Sequence, residues 1–558
     1  MLLQLLSLLG AAGLFLYGLN LLSAGLLKLS GDKFKTFLPW MRKNPVNSIL
    51  AGFSITALAE SSSAATVMVV GFVNAGALAL SQAILVIMGA NIGASFTAWI
   101  IAIFGFGLGI TSIIYPFFAL GFILTMSKGQ KRKISGEVIL GFALMFLGLF
   151  YMQKYFPATE ALPVLKAYVV AASANGILSV LLFMAVGCVL AFGLQSTGAV
   201  TITMVMLGAG WIDFNMAAAM VMGENIGTTI SANIAASEAN IEAKRAALVH
   251  TLFNIFGAVL ALIFFHPFIK MVSCIAGGLQ TSWSSILGIA IFHTLFNLLD
   301  TCILAWFAGP IEKLVNLLVK TSKEDSEDKS RLIYISARHF GTPAISIAQA
   351  FKEVSHFASV LHEGFDNVKL AVNEKDPDEF EKYRMNLVQL EEVSDRMEYH
   401  IAAFLNNVSS ESISEEEADE IKVLYRIIGE LESLGDSGEN ISRILERERV
   451  HNRKFDDDTI RKINLMIDVT DKAYKVMSEN LEATISGNVT DISNAYAVED
   501  EINSMRNTLR EQCVNQIEQH AGNYQSLNYF LDIISELEAM GDFMINVSQA
   551  IVRSEDYK

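Results

Sequence analysis

Polar side chains set in long apolar runs are the residues of this chain that first suggest chemistry. Glu60-Ser61-Ser62-Ser63-Ala64 recurs 135 residues later as Gln195-Ser196-Thr197-Gly198-Ala199. Each copy is followed, 29 and 28 residues on, by a second matched motif: Gly89-Ala90-Asn91-Ile92-Gly93-Ala94 and Gly223-Glu224-Asn225-Ile226-Gly227-Thr228. Hydroxyls, amides and carboxylates are expensive within a bilayer and mark paths for ions or substrates. Two copies in corresponding halves point to a duplicated transporter with its site at the repeat interface.

A polar break in an apolar helix exposes helix-end N–H groups, and these with nearby hydroxyls hold an anion without a formal positive charge. Carbonyls, hydroxyls and carboxylates hold a hard cation such as Na⁺. The candidate ligands are Glu60, Ser61, Ser62, Ser63, Thr66 and Asn91 in the first copy. In the second they are Gln195, Ser196, Thr197, Thr201, Glu224, Asn225, Thr228 and Thr229. The glycines flanking Asn91 and Asn225 are expected to break their helices and turn carbonyls toward an ion. The acids within apolar segments are chiefly Glu60, Glu224 and Asp300. An unpaired carboxylate there must be protonated or bind a cation. The plain alternative for any single serine is helix packing or back-bonding to the preceding turn, but the repeat speaks against that for the set. His250-Thr251-Leu252-Phe253-Asn254 also recurs, as His293-Thr294-Leu295-Phe296-Asn297. Bonding across helices is the expected role of this pair.

Apolar runs of spanning length cover about 5–27, 80–105, 110–126, 136–152, 215–237, 246–265 and 285–309. The first is read as a retained helix rather than a signal peptide, since no basic segment precedes it and no clear cleavage site follows. The regions 45–76 and 168–210 carry the Ser-rich breaks and read as re-entrant hairpins. Basic residues cluster at Lys28, Lys33, Lys35, Arg42 and Lys43; at Lys128, Lys131, Arg132 and Lys133; at Lys244 and Arg245; and at Lys313 and Lys320. With these four groups cytoplasmic, seven spans and two hairpins entering from opposite faces close the topology as an inverted repeat, about 5–126 and 136–309. Lys154, Lys166 and Lys270 fall on the opposite side.

The paired motifs resemble the sodium–phosphate cotransporter family that includes the type II carriers. That family has an inverted repeat, each half bearing a QSSS-type hairpin and a downstream GxNIGT-type motif. The resemblance covers roughly 5–310 and implies a substrate and sodium site at Ser61, Ser62, Ser63, Gln195, Ser196, Thr197, Asn91, Asn225 and Thr228. Glu60 stands where the family has glutamine, and Gly198 replaces the third hydroxyl of the second motif. Both departures bear on cation stoichiometry and on the oxyanion carried.

The chain of 558 residues splits in charge, with a net of +6 over 1–320 and −22 over 321–558. A membrane unit (1–320), a charged linker (321–341) and a polar helical unit (342–558) are expected. The acidic half argues against nucleic acid as a partner. Cys188, Cys274, Cys302 and Cys513 have no disulfide or zinc spacing. From about 342 on, the chain reads as long amphipathic helices. Here Glu430-Leu431-Glu432-Ser433-Leu434-Gly435-Asp436 recurs after 106 residues as Glu536-Leu537-Glu538-Ala539-Met540-Gly541-Asp542. Two helical units, about 343–446 and 456–552, follow. Glu391/Asp395, Glu432/Asp436 and Glu538/Asp542 are spaced i, i+4 and share a helix face. A multivalent cation would offset their repulsion, whereas a solvated acidic face is the plain alternative. The repeated LExxGDxxxN pattern resembles PhoU proteins, which are tandem three-helix bundles linked to phosphate control. That resemblance implies metal binding through ExxxD pairs, with the fourth pair weakened because it ends in Asn503.

The expectation is an all-α, polytopic protein of the cytoplasmic membrane that carries inorganic phosphate with Na⁺ by alternating access, followed by a cytoplasmic PhoU-like regulatory domain. Membrane lipid, a homodimer and a cytoplasmic regulatory partner are the further partners this implies. The alternatives are proton coupling, another oxyanion or phosphate export, and, in a different class, a membrane-anchored phosphate- or metal-responsive regulator. No enzyme is expected, since no nucleophile–base constellation is present.

Overall fold

The computed structural model describes residues 2–30, 40–41, 43–74, 78–107, 111–174, 176–237, 239–320, 332–335, 343–410, 413–452, 454–485, 491–518 and 524–553. The expected linker segment 321–331 and the basic residues Lys33, Lys35 and Arg42 lie outside them. The described residues form helices and no strand. They fall into two compact units, one ending at Lys320 and one running from Pro343.

In the membrane unit, α1 (Leu2–Ser30) and α6 (Gln130–Tyr155) open the two repeats and pack along each other. The first hairpin is α2 (Pro45–Ala59) and α3 (Ser62–Asn74), followed by α4 (Leu80–Ile100), which runs on as a π-helical turn to Gly107. Next come α5 (Thr111–Thr125), α6 and α7 (Pro163–Ser173). The second hairpin is α8 (Ile177–Gly208), interrupted at Gln195, and α9 (Phe214–Ala236) follows it as α4 follows the first. The unit closes with α10 (Ile241–Ile263), α11 (Phe265–Ile275), α12 (Ser282–Leu304) and α13 (Ala308–Leu318).

Among the described residues, six helical stretches are long and apolar enough to cross a membrane: Leu3–Leu29, Leu80–Gly107, Gln130–Tyr155, Ile177–Gly208, Ile241–Ile263 and Ser282–Leu318. The sequence predicts seven spans, and two of those differ. The expected span 110–126 is a 15-residue helix, Thr111–Thr125, short of the roughly 20 residues that a crossing needs. The expected span 215–237 is the full-length helix Phe214–Ala236, but Glu224, Asn225, Thr228, Thr229 and Asn233 lower its hydropathy. The second hairpin begins at Ile177 rather than near 168, because Pro163–Ser173 is a separate helix with no buried residue.

The glycines beside Asn91 and Asn225 do not break their helices. Leu80–Ile100 and Phe214–Ala236 are continuous there. Their role is close approach instead. A Cβ on Gly52 would overlap the Val86 carbonyl, and one on Gly89 would overlap the Ile49 carbonyl. The second repeat reproduces the joint: a Cβ on Gly187 would overlap the Met220 carbonyl, and one on Gly223 the Met184 carbonyl. The backbones of α2 and α4, and of 177–194 and α9, are therefore in direct contact along one seam.

The second unit holds α14 (Pro343–Asn373), α15 (Pro377–Ser409) and α16 (Glu415–Val450), then α17 (Asp457–Ile485), α18 (Ser493–Glu518) and α19 (Tyr524–Arg553). Each trio packs internally, and the trios join along α16 with α19 and α14 with α17. One continuous apolar core, including Phe357, Leu387, Leu431, Met466 and Leu537, runs through both.

Replacing a seam glycine should be costly. Gly223→Ala is expected to lower the midpoint of thermal unfolding in detergent, at an overpacking cost of about 1–3 kcal/mol. Gly429→Ala, in α16 with open space at its Cβ, should instead stabilise by about 0.5–1 kcal/mol. Equal responses at the two positions would contradict the seam.

Candidate functional site

Three non-glycine residues among those described have positive φ: Glu60 (52°), Gln195 (62°) and Asn452 (52°). The first two are the matched leading residues of the duplicated motif. Non-glycine residues rarely occupy this region, and where they do the surroundings must hold them there. At Glu60 the left-handed turn ends α2, and Ser61 Oγ accepts from the Ala64 N–H to start α3. At Gln195 a different positive-φ conformation, with ψ 168°, separates 177–194 from 196–208. The first turn of a helix leaves N–H groups without intrahelical partners. Each tip thus combines such groups with the hydroxyls of the motif.

The tips touch. Thr197 Oγ1 donates to the Glu60 carbonyl at 2.9 Å. Ser63 Oγ donates, at 3.5 Å, to the carbonyl of Thr228 on α9. Glu60, Ser62, Ser63, Thr66, Ser196, Thr197 and Thr201 are all buried, and Ser61 is half-buried. The structure therefore brings the two copies of the first motif together with the α9 motif.

The two carboxylates are held differently. Glu60 Oε2 accepts from Thr97 Oγ1 of α4 at 2.7 Å. Glu224 Oε1 accepts from Thr203 Oγ1 of the second hairpin at 2.6 Å, while its Oε2 has no hydrogen-bond partner among the described residues. In one repeat the tip carries the acid and the helix the hydroxyl, and in the other the roles are exchanged. Thr97 and Thr203 are not among the sequence candidates. Their partners are 37 and 21 residues away, so no local spacing points to them. Thr201, Thr228 and Thr229 donate to the carbonyls of Thr197, Asn225 and Ile226. A hydroxyl that has given up its hydrogen in this way keeps lone pairs for a cation.

Asn91 and Asn225 are buried in matched surroundings. The Asn91 amide donates to the Ile87 carbonyl (3.1 Å) and that of Asn225 to Val221 (3.0 Å). Their side-chain oxygens face the duplicated His-Thr-Leu-Phe-Asn elements: His250 Nε2 lies 3.3 Å from Asn91 Oδ1, and His293 Nε2 lies 3.4 Å from Asn225 Oδ1. The neighbouring threonines reach the other motif helix. Thr294 bonds Ser95 Oγ (2.9 Å) on α4, and Thr251 bonds Asn233 (2.7 Å) on α9. Each duplicated element therefore bridges both motif helices.

In the second unit, Glu391, Asp395 and Asp436 converge, with one carboxylate oxygen from each within 4.8 Å of the others. Glu432 stands beside this group. Burial first, and then the surrounding carboxylates, hold Glu391, Glu432 and Asp436 above the ordinary carboxylate range. Three oxygens at this separation fit a hard multivalent cation. The other trio differs. Glu538 pairs with Arg506 at 2.9 Å, Arg506 also donates to Asn503, and neither Glu538 nor Asp542 joins a cluster among the described residues. Sequence pairing of Glu538 with Asp542 overlooks the arginine that arrives from α18.

Two family models match the chain: Na+/Pi-cotransporter over residues 14–154 and PhoU domain over residues 466–551. The chain is 24% identical over 99% of its length, and 98% of the relative's, to the Escherichia coli (strain K12) protein named "Putative inorganic phosphate export protein YjbB". It is 31% identical to the "Uncharacterized protein YqeW" of Bacillus subtilis (strain 168), across 45% of this chain and 79% of that one. A shorter stretch, 17% of this chain and 15% of the relative, is 39% identical to the rat "Sodium-dependent phosphate transport protein 2A". No solved structure matches. The fold and motifs define a multi-pass, two-repeat membrane protein with a helical appendage. The chain belongs to the Na+/Pi-cotransporter family of phosphate transporters and carries a PhoU domain.

Carboxyls raised in the folded state favour folding fully at low pH, and that contribution is lost as pH rises from the unfolded value through the folded one. The acidic cluster should therefore weaken the second unit as pH rises from about 4 toward neutrality. Asp436→Asn should blunt this loss by about 0.5 kcal/mol, the scale of one like-charge helix-surface pair. Denaturant melts at pH 5 and pH 8 would reveal it, and an unchanged pH slope in the variant would count against the cluster.

Proposed function

We propose that the membrane unit carries inorganic phosphate across the cytoplasmic membrane in symport with Na⁺, and that the PhoU-like unit is cytoplasmic and regulates it. The observation that carries this reading is the contact of the two hairpin tips, Thr197 to the Glu60 carbonyl, between two leading residues of positive φ. Phosphate would sit between the tips, held by Ser61, Ser62, Ser63, Gln195, Ser196 and Thr197 together with helix-end N–H groups. Na⁺ would offset its charge through hydroxyl and carboxylate oxygens of Glu60, Thr66, Thr201, Glu224, Thr228 and Thr229. Asn91 and Asn225, already bonded to His250 and His293, would set the distance between the motif helices rather than meet the anion. Rocking of one repeat against the other would expose the tips to each side in turn.

Direction is a property of the gradients, since a coupled carrier runs either way. The full-length match to a protein named for phosphate export favours outward movement as the second reading. Glu391, Asp395 and Asp436 would hold a divalent cation in the regulatory unit, with Glu432 beside them.

Purified protein in liposomes should show [³²P]phosphate flux that rises with a Na⁺ gradient. The pair Ser62→Ala and Thr197→Ala should cut that flux at least ~10-fold, the scale of two lost hydrogen bonds at about 1 kcal/mol each. Flux that ignores Na⁺ but follows a pH gradient would replace Na⁺ with the proton. Phosphate binding unchanged in the double variant would remove the tips from the site.

A further inference from the structure

Asp300 is a buried carboxyl that the tip site does not use. It lies near the C-terminal end of α12, is 2 % exposed, and neither of its carboxylate oxygens has a hydrogen-bond partner among the described residues. Glu60 and Glu224, by contrast, each accept from a threonine.

Its position is set by the duplicated His-Thr-Leu-Phe-Asn element. Asp300 is seven residues after His293, and Gly257 is seven after His250. These matched positions meet in space, for a Cβ on Gly257 would overlap Asp300 Oδ2. Helices α10 and α12 thus cross at equivalent points, where one residue has no side chain and the other supplies a carboxyl that fills the gap.

The surroundings favour a neutral acid over a bound metal cation. A cavity of about 310 Å³ beside the crossing is lined by Gly257, Leu260, Ala261, Phe296, Leu299 and Ile303, among others, none with a side-chain oxygen. The adjacent hydroxyl, Thr301 Oγ1, donates to the Met88 carbonyl at 3.2 Å. A hard cation needs several oxygen ligands, and one carboxylate does not supply them. Among ionisable groups on helices packed against α12 are Cys188 on α8, Glu224 on α9 and His250 on α10. On α11 they are His266, Lys270 and Cys274, and α12 itself adds His293 and Cys302. None of them bonds Asp300. A lone charge in such a place costs several kcal/mol, so the proton stays while the crossing is closed.

We propose that Asp300 is a proton-binding site of the membrane unit, neutral at the closed crossing of α10 and α12 and exchanging its proton when that crossing opens. Those same helices hold His250 against Asn91 and His293 against Asn225, so opening the crossing also acts on the motif helices. The site is separate from the hairpin tips and does not depend on which ion couples there.

The test uses the intact chain in liposomes and N,N′-dicyclohexylcarbodiimide, an apolar reagent that reaches acids from the lipid phase. A protonated carboxyl adds across its C=N bond, and an O-to-N acyl shift leaves a stable N-acylurea that carries the whole reagent mass with no leaving group. Mass spectrometry of peptides should find this adduct on Asp300 at pH 6. Labelling should fall ~10-fold per pH unit above the midpoint, following the neutral fraction. Added Na⁺ at constant pH should leave it unchanged. Asp300→Asn should lose this adduct alone, and should flatten the pH profile of any transport measured. No adduct on Asp300 at any pH would overturn the proposal. Equal labelling from pH 6 to 9 would overturn exchange, and protection by Na⁺ would make the site a cation site.

Discussion

A helix interrupted inside an apolar layer has to satisfy its freed N–H and carbonyl groups within the protein, and that constraint shapes the membrane unit. The interruptions fall at Glu60 and Gln195, both in backbone conformations that ordinary side chains avoid. Glu60 is buried, with its carbonyl accepting from Thr197 of the other tip, while Gln195 is exposed and the residues that follow it, Ser196 and Thr197, are buried. Without the seam the tips would leave their backbone groups bare in an apolar medium, which is prohibitive.

Around that constraint the two repeats are alike in backbone and unlike in charge. Matched glycines make the same joint twice, and matched asparagines meet matched histidines. The carboxylates break the match, with Glu60 on a tip and Glu224 on a helix. A pseudo-symmetric frame thus carries an asymmetric distribution of acid. The second unit repeats this pattern: the trios share a fold, yet one gathers Glu391, Asp395 and Asp436 while the other commits Glu538 to Arg506.

Much of this is legible from residues alone. The duplicated motifs locate the two tips, because a run of hydroxyls within apolar sequence, present twice, is seldom there for packing alone. The PhoU-like repeat locates the two trios in the same way. What escapes the sequence depends on depth and distance. The glycines of the Asn91 and Asn225 motifs read as helix breakers because glycine is costly within helices, but close packing of backbones outweighs that cost here. Thr97 and Thr203 stay hidden because contact with an acid on another helix leaves no mark in local spacing. Span counting includes 110–126, whose helix Thr111–Thr125 is too short to cross, and the polar load of Phe214–Ala236 comes from the motif itself.

The seam has a mechanical consequence. Helix α2 lies on α4 with carbonyls where side chains would otherwise be, and 177–194 lies on α9 in the same way. Surfaces this close have no room to slide past one another. Each hairpin's first arm and its neighbouring helix therefore form one stiff lever. The second arms, 62–74 and 196–208, with the hydroxyl–carbonyl contact between Thr197 and Glu60, lie outside both levers and form the joint between them.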